Sequence, residues 1–339
     1  MTGCTPLTGP DITGEGFKDL ASLQQIKGLY LSKTKTTDEG LKQISRFKNL
    51  EVLRLDETQV TDDGLKELIQ LKQLTRLDLQ KNQLTDAGLV HLAHLTQLID
   101  LNLEDNLITD AGLQHLSNLT ELTDLDLSEN EVTAVGLQHL APLTKLRRLR
   151  LADESITDNS LSVLRKIGLL HTLDNAHSVN GSTTDNPDQV VYLYLSYASV
   201  TDAGLQELKV FKNLENLDLH GTQITDAGLP ELAAFTRLTD LDVGDNHITD
   251  AGLKTISKYK NLTELNVSYT KITDVGLKEI ATITALKELH LNRTQITDLG
   301  LKELASLKNL SSLYLIDTKV SDAGVAELQK VLPDLSINR

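Results

Sequence analysis

Apolar and polar positions alternate along the chain in a repeat of 24 residues that recurs twelve times. The clearest copy begins at Leu238 and reads LTDLDVGDNHITDAGLKTISKYKN. The copies open with Leu-x-x-Leu-x-Leu or a close variant at Ile26, Leu50, Leu74, Leu98, Leu122, Leu146, Val190, Leu214, Leu238, Leu262, Leu286 and Leu310. A fixed period of this length predicts a solenoid, in which each repeat packs on its neighbours.

The first seven residues of the repeat have the pattern of a half-buried strand. In the copy at Leu238, the apolar residues Leu241 and Val243 alternate with Asp240 and Asp242. An alternation of period two predicts a β-strand with one face in the core and one face in solvent.

Polar residues recur where the chain leaves the strand and where the next element begins. The ninth residue is Asn246 in this copy and Asn or Thr in most others, which predicts a ladder of side chains bonded to neighbouring turns. Thr249 and Asp250 then precede an apolar stripe, as expected for a helix cap and a first-turn acid. Gly252 recurs inside the helix start, which indicates a close approach to the adjacent repeat.

The pattern predicts an α/β fold. We expect a right-handed solenoid of horseshoe form, with a parallel β-sheet on its concave face and helices on its convex face. A single solenoid domain is expected over 1–339. Its expected parts are an N-terminal half repeat at 1–25, six repeats at 26–169, an insertion loop at 170–189, six repeats at 190–332 and a closing strand at 333–339. The polar insertion is typical of a surface loop, with a functional flap or a joint between two sub-arrays as alternatives.

Charge narrows the classes of partner. The formal net charge is −15 and the pI is about 5.0, whereas recognition of nucleic acid or of an anionic membrane surface needs a basic footprint. A protein or peptide partner, in particular a basic one, is easier to accommodate. No apolar run approaches the roughly 18 residues of a transmembrane helix.

The one cysteine, Cys4, excludes an internal disulfide. Its setting, Met1-Thr2-Gly3-Cys4, resembles the end of a bacterial lipoprotein cleavage box. The apolar segment expected before such a box is absent from the sequence. Either the signal segment has been removed, or the match to the cleavage box is accidental. The first reading predicts lipidation of Cys4 and a place in the bacterial cell envelope or periplasm. The alternative is a free thiol near a frayed terminus, in a cytoplasmic protein.

The motif Leu-x-x-Leu-x-Leu-x-x-(Asn/Thr)-x-Ile-Thr-Asp-x-Gly-Leu-x-x-Leu resembles that of leucine-rich repeat proteins. It looks most like the 24-residue class of planctomycete-type bacteria, and it is similar to the repeats of F-box substrate receptors. No F-box segment precedes the array, so a ubiquitin-ligase role is not supported. The resemblance implies protein–protein recognition rather than catalysis, and it is specific for fold more than for function.

The third, fifth and seventh residues of each repeat are expected to line the concave face. Exposed tyrosines are typical interface anchors, and carboxylates steer basic partners. We also expect Arg148 and Arg150 to pair with Asp124 and Asp126. The candidate partner-binding residues are Tyr192, Tyr194, Tyr197, Asp218, Asp240, Asp242, Tyr269, Arg150 and Asp126.

No catalytic residue, cofactor site or metal site is predicted, because nucleophile elbows, phosphate loops and zinc spacings are missing from the sequence. The Asp clusters could attract calcium, but a flat sheet rarely supplies six oxygen ligands. The favoured hypothesis is a non-enzymatic recognition scaffold that binds a protein or peptide on the concave face. The alternative is a structural or adhesive envelope lipoprotein anchored through Cys4. A carboxylate hydrolase would rest only on the Asp pairs, which are more often solvated surface. Neither the partner's identity nor the oligomeric state follows from the sequence.

Overall fold

The computed structural model describes residues 4–6, 13 and 25–339. The chain packs as two compact units. The N-terminal unit comprises Met1–Ser155 and Val163–Asp174, and the C-terminal unit comprises Ile156–Ser162 and Asn175–Arg339. Most of the expected half repeat at 1–25 lies outside the described residues, and the expectation of a single domain stays a prediction.

The N-terminal unit contains a parallel sheet in which each strand pairs with the next along the chain. Its described strands are β1 (Cys4–Pro6), β2 (Gly28–Tyr30), β3 (Val52–Arg54), β4 (Arg76–Asp78), β5 (Asp100–Asn102), β6 (Asp124–Asp126) and β7 (Arg148–Arg150). Partners across the sheet are equivalent residues of neighbouring repeats, as Asp100 with Asp124. The sequence does not predict β1, which pairs with β2 ahead of the first full repeat.

The sheet of the C-terminal unit begins in the segment for which the sequence predicts a loop. Its described strands are β8 (Ala176–His177), β9 (Tyr192–Tyr194), β10 (Asn216–Asp218), β11 (Asp240–Asp242), β12 (Glu264–Asn266), β13 (Glu288–His290), β14 (Ser312–Tyr314) and β15 (Ser336–Asn338). All neighbours are parallel except β8, which runs antiparallel to β9. The insertion therefore supplies an edge strand, and β15 adds to the far edge, where a closing strand is expected.

Each of the twelve full repeats continues from its strand into one or two helical segments. The described α-helices are α1 (Asp38–Ile44), α2 (Asp62–Leu65), α3 (Asp86–Leu92), α4 (Asp110–Leu113), α5 (Ala134–Leu137), α6 (Asp158–Lys166), α7 (Asp250–Ile256), α8 (Asp274–Ile280), α9 (Asp298–Leu301) and α10 (Asp322–Val331). The described 3₁₀-helices are Lys66–Gln70, Gln114–Leu116, Gln138–Leu140, Asp153–Ser155, Leu170–Thr172, Pro187–Gln189, Gly204–Val210, Leu229–Ala234 and Lys302–Ser306. In the part of the chain that the structure describes, no helix combines the length and the apolar character needed to cross a membrane.

The predicted ladder is present and lies next to the aliphatic core. The Asn82 side-chain amide donates to the Leu55 and Leu79 carbonyls at 2.9 Å each, and its Oδ1 accepts from the Thr58 amide at 2.9 Å. The Asn82 amide in turn donates to Oδ1 of Asn106 at 3.2 Å. Each ladder residue thus satisfies backbone groups that the inward turn would otherwise leave without partners.

A second column, which we call the clasp, joins neighbouring repeats on the helix side. Asp202, at a helix start, accepts the Thr225 amide of the next repeat at 2.8 Å and the Thr225 hydroxyl at 2.6 Å. A Cβ placed on Gly228 would lie 2.2 Å from Oδ1 of Asp202. The recurring glycine is therefore required because the carboxylate of the preceding repeat occupies the space of its side chain.

Candidate binding surface

The outward face of the C-terminal sheet carries a group of tyrosines at its β9 end. In β9 the middle residue is buried, whereas Tyr192 and Tyr194 point outward on either side of it. Their ring centroids are 6.5 Å apart with planes 8° from parallel. Tyr194 is 40% exposed and Tyr197, just beyond the strand, is 65% exposed. The structure thus places two of the four tyrosines that the sequence singles out side by side, with a third just beyond the same strand.

Three of the predicted carboxylates, those of Asp218, Asp240 and Asp242, lie next to the Tyr194 ring. Register places Asp218 opposite Tyr194 on one side and opposite Asp242 on the other. They border a depression of about 200 Å³, and none of its described lining residues is basic. The polar residues that line it are Tyr194, Asn216, Asp218, Asp240, Asp242, Glu264 and Asn266.

Hydrogen bonds fix two of these carboxylates. Asp218 accepts the His220 backbone amide at 2.8 Å, and Asp242 accepts the Gly244 amide at 2.8 Å. The Asn266 side-chain amide also donates to Asp242 at 2.6 Å. Burial raises the pKa of Asp242, and the nearby charge of Asp218 raises it further. The depression therefore concentrates negative charge that a bound cation would relieve.

Tyr197 and Tyr269 flank His220 at the edge of the same face. The His220 ring is 5.5 Å from Tyr197 and 6.3 Å from Tyr269, with edge-to-face geometry in both pairs. A Cβ on Gly244 would lie 2.7 Å from Nδ1 of His220, so this glycine leaves room for the imidazole. His220 is not among the residues predicted from the sequence, although its seventh position in the repeat places it on the expected face.

The backbone holds these two tyrosines in an uncommon conformation. Tyr197 has φ of 62° and Tyr269 has φ of 61°, in the left-handed region that bulky residues rarely adopt. Arg293 of the next repeat lies over the Tyr269 ring at 5.1 Å and pairs with Asp317 at 2.9 Å. The turn projects both rings from the end of the strand, where 47% of Tyr269 is exposed.

The remaining candidates, Arg150 and Asp126, lie in the N-terminal unit and pair with each other. Nη1 of Arg150 is 3.0 Å from Asp126, and Nη1 of Arg148 is 3.1 Å from Asp124, which confirms the expected ion pairs. Asp174 is not among the predicted residues, yet its carboxylate lies 2.9 Å from Nε of Arg150 and 3.0 Å from Nε of Arg148. Asp174 lies in the insertion, outside the repeat pattern, so periodicity could not identify it.

Asp78 lines a second depression, of about 250 Å³, on the sheet of the N-terminal unit. Burial raises the pKa of Asp78 to about 6, and the carboxylates of Asp56 and Asp100 contribute in the same direction. Basic residues also line this depression, among them Arg54 and Arg76. Its charge is therefore mixed, in contrast to the acidic depression beside Tyr194.

Comparisons with known proteins bear on the fold. One leucine rich repeat model matches residues 96–156 and 236–296, and a second matches residues 71–93. A search of the curated proteins finds no match. A solved internalin from Listeria monocytogenes is 24% identical with a TM-score of 0.64, over 97% of this chain and 95% of that one. A leucine-rich-repeat protein from Leptospira interrogans is 20% identical with a TM-score of 0.57, over the same shares of the two chains.

These likenesses confirm the repeat class and the architecture expected from the sequence. The narrower resemblance to the 24-residue planctomycete class and to F-box receptors stays a prediction. The chain is therefore built from leucine-rich repeats and has the leucine-rich-repeat solenoid fold.

Proposed function

We propose that the chain is a non-enzymatic recognition protein that binds a basic protein or peptide on the outward face of the C-terminal sheet. Proteins of leucine-rich repeats typically mediate protein–protein recognition. The observation that carries the proposal is the acidic depression beside exposed tyrosines, with Tyr194 and Asp218 opposite each other in register. Tyr192, Tyr197, Asp240, Asp242 and Tyr269 complete the proposed contact surface.

The two kinds of side chain have complementary roles in this proposal. Tyrosine rings offer large contact areas at low entropic cost, and a lysine or arginine can lie over their faces. The carboxylates attract and orient the positive charge, which raises the rate of encounter more than the final affinity. Asp126 and Arg150 are proposed as weaker contacts of the N-terminal unit, because their charges already neutralise each other.

A selection from a random peptide library on the full chain tests this function. We expect enrichment of Lys or Arg in the selected peptides, and at least tenfold weaker binding by Tyr194→Ala combined with Asp240→Asn. Asp240 is preferred to Asp242 for this variant because Asp242 also holds a backbone amide. Calorimetry with a selected peptide measures the affinity.

The matched control is Val275→Ala combined with Asp334→Asn, which changes an apolar and an acidic residue that are both exposed elsewhere in the C-terminal unit. This pair is expected to bind as the unchanged chain does. Peptides without basic residues, or equal affinity in both double variants, would remove this surface from consideration. If the surface binds as expected, capture from host lysate with the same variants would identify the natural partner.

A second candidate function is a structural or adhesive protein of the bacterial envelope, anchored through a lipid on Cys4. The residues Met1-Thr2-Gly3-Cys4 support it through their likeness to a lipoprotein cleavage box. Mass spectrometry of the protein from its host would show a diacylglyceryl group on Cys4. A free Cys4 thiol in that material would leave the cytoplasmic alternative.

A further inference from the structure

We propose that Glu264, Glu288 and His290 form a site for one divalent transition-metal ion of the Zn²⁺ type. Glu264 and Glu288 are register partners on β12 and β13, and His290 follows two residues along β13. Since side chains two residues apart on a strand share a face, all three lie on the outward face of the C-terminal sheet. Glu264 also lines the acidic depression, but the metal site is argued from the geometry of its three ligands and does not rest on peptide binding.

The distances suit a small cation. Nε2 of His290 lies 3.0 Å from Oε1 of Glu288 and 3.9 Å from Oε1 of Glu264. One ligand atom from each residue can be chosen so that all three lie within 4.8 Å of one another. Tetrahedral zinc with bonds of about 2.0–2.1 Å holds its ligands roughly 3.4 Å apart. A modest movement of the exposed Glu264 side chain is therefore sufficient to close the site.

Neighbouring groups hold the imidazole in place for this role. The His290 ring stacks on Tyr314 with centroids 4.1 Å apart and planes 4° from parallel. The Tyr314 hydroxyl donates a hydrogen bond to Glu288. Tyr314 thus orients two of the three ligands, which is the function of outer-shell groups around known metal sites.

The donor set selects the class of ion. An imidazole nitrogen with two carboxylates suits Zn²⁺ and related ions, whereas Ca²⁺ requires six or more oxygen ligands. Two carboxylates and a neutral imidazole leave no net charge once a divalent ion is bound. Three protein ligands also leave a coordination position open to water or to a side chain of another molecule.

Titration of the full chain with zinc chloride by calorimetry tests the site. We expect one ion per chain, with affinity reduced at least tenfold in His290→Asn and in Glu288→Gln. The matched control, His247→Asn, removes an exposed histidine of the same unit and should leave the affinity unchanged. Circular dichroism without metal checks that each variant is folded.

A second measurement on the unchanged chain does not depend on any variant. Zinc should protect His290 from carbethoxylation by diethylpyrocarbonate, as located by peptide mass spectrometry, while His247 stays reactive. Equal labelling of His290 with and without zinc would overturn the proposal. The proposal would also be overturned if the zinc titration did not saturate at one equivalent per chain. It would be overturned as well if folded His290→Asn bound zinc as tightly as the unchanged chain.

Discussion

At the scale of single residues, the Asp that recurs at most helix starts has a role that the sequence pattern only partly indicates. A negative charge at a helix N-terminus is an ordinary dipole effect, and the sequence predicts that much. The structure adds that Asp250, for example, accepts both the amide and the hydroxyl of Thr273, 23 residues later. The acid, the threonine and the glycine are thus one interaction rather than three local preferences.

Substitutions at Asp202 and Gly228 should therefore be coupled. Asp202→Ala loses two hydrogen bonds to a charged acceptor, at a cost of about 1.5–3 kcal/mol in the free energy of unfolding. Gly228→Ala alone should cost about 1–3 kcal/mol, because its Cβ meets the Asp202 carboxylate. The double variant should lose at least ~1 kcal/mol less free energy of unfolding than the two single variants lose together, since removing the Asp202 carboxylate also removes the clash. Urea unfolding of the four chains measures the coupling, and strict additivity would contradict it.

Asp78 should make stability depend on pH. Its pKa in the fold is about 6, above the ordinary 3.8, so the charged form destabilises the fold at neutral pH. Asp78→Asn should stabilise the chain by about 1 kcal/mol at pH 7, a value reduced for solvent screening of a partly exposed group. The stabilisation by Asp78→Asn should decline as the pH falls below 6, and it should disappear below the pKa of the unfolded chain, 3.8. Asp63→Asn, at an exposed position, is the control, and a gain that does not vary with pH would contradict the prediction.

At the scale of secondary-structure elements, periodicity predicts whatever recurs in every copy. The strand around Leu241, the Asn246 ladder and the Thr249 cap all follow from it, because each is repeated and chemically simple. The structure confirms the Thr249 cap, whose hydroxyl accepts the Ala251 amide at 3.2 Å. These elements need no knowledge of tertiary contacts beyond the stacking of neighbours.

Features that occur once could not be predicted in this way. The antiparallel strand β8 lies in a polar segment whose composition is typical of a loop, and its pairing with β9 is a tertiary event. The same holds for Asp174 and for the group formed by Glu264, Glu288 and His290. In that group, ordinary surface residues become a cluster only because register places two carboxylates side by side.

The ladder should be sensitive to the loss of its amides. Asn246 accepts the Ile224 amide at 2.8 Å and donates to the Leu219 carbonyl at 2.7 Å, in a site where only 5% of the side chain is exposed. Asn246→Ala should lower the free energy of unfolding by about 2–4 kcal/mol, since buried groups lose their partners. Asn246→Thr should cost roughly half as much, because Thr222 already occupies this column. Denaturant titration compares the two, and equal losses would mean that the threonine hydroxyl replaces none of the hydrogen bonds of the amide.

At the scale of the whole molecule, the net charge of −15 should govern how a basic partner arrives. Raising the salt from about 50 to 500 mM shortens the Debye length from roughly 14 to 4 Å and screens steering between exposed charges. The association rate with a basic peptide should fall about tenfold, with a much smaller change in the dissociation rate. Stopped-flow kinetics measures both, and a peptide with acetylated lysines is the control. A salt effect confined to dissociation would argue against steering.

The clasp has a consequence for how such a chain can change over generations. Its Asp, Thr and Gly occupy fixed places in a 24-residue period, so removing or duplicating one whole period rejoins every partner correctly. An insertion or deletion of any other length within a repeat would misalign clasp, ladder and strand register together. The insertion at 170–189 leaves the clasp intact, because Asp158 still accepts the amide and the hydroxyl of Thr201 across it. Unequal recombination between copies in the gene can therefore lengthen or shorten the protein one strand at a time. Each such event widens or narrows the outward face by about 4.8 Å while the core remains filled.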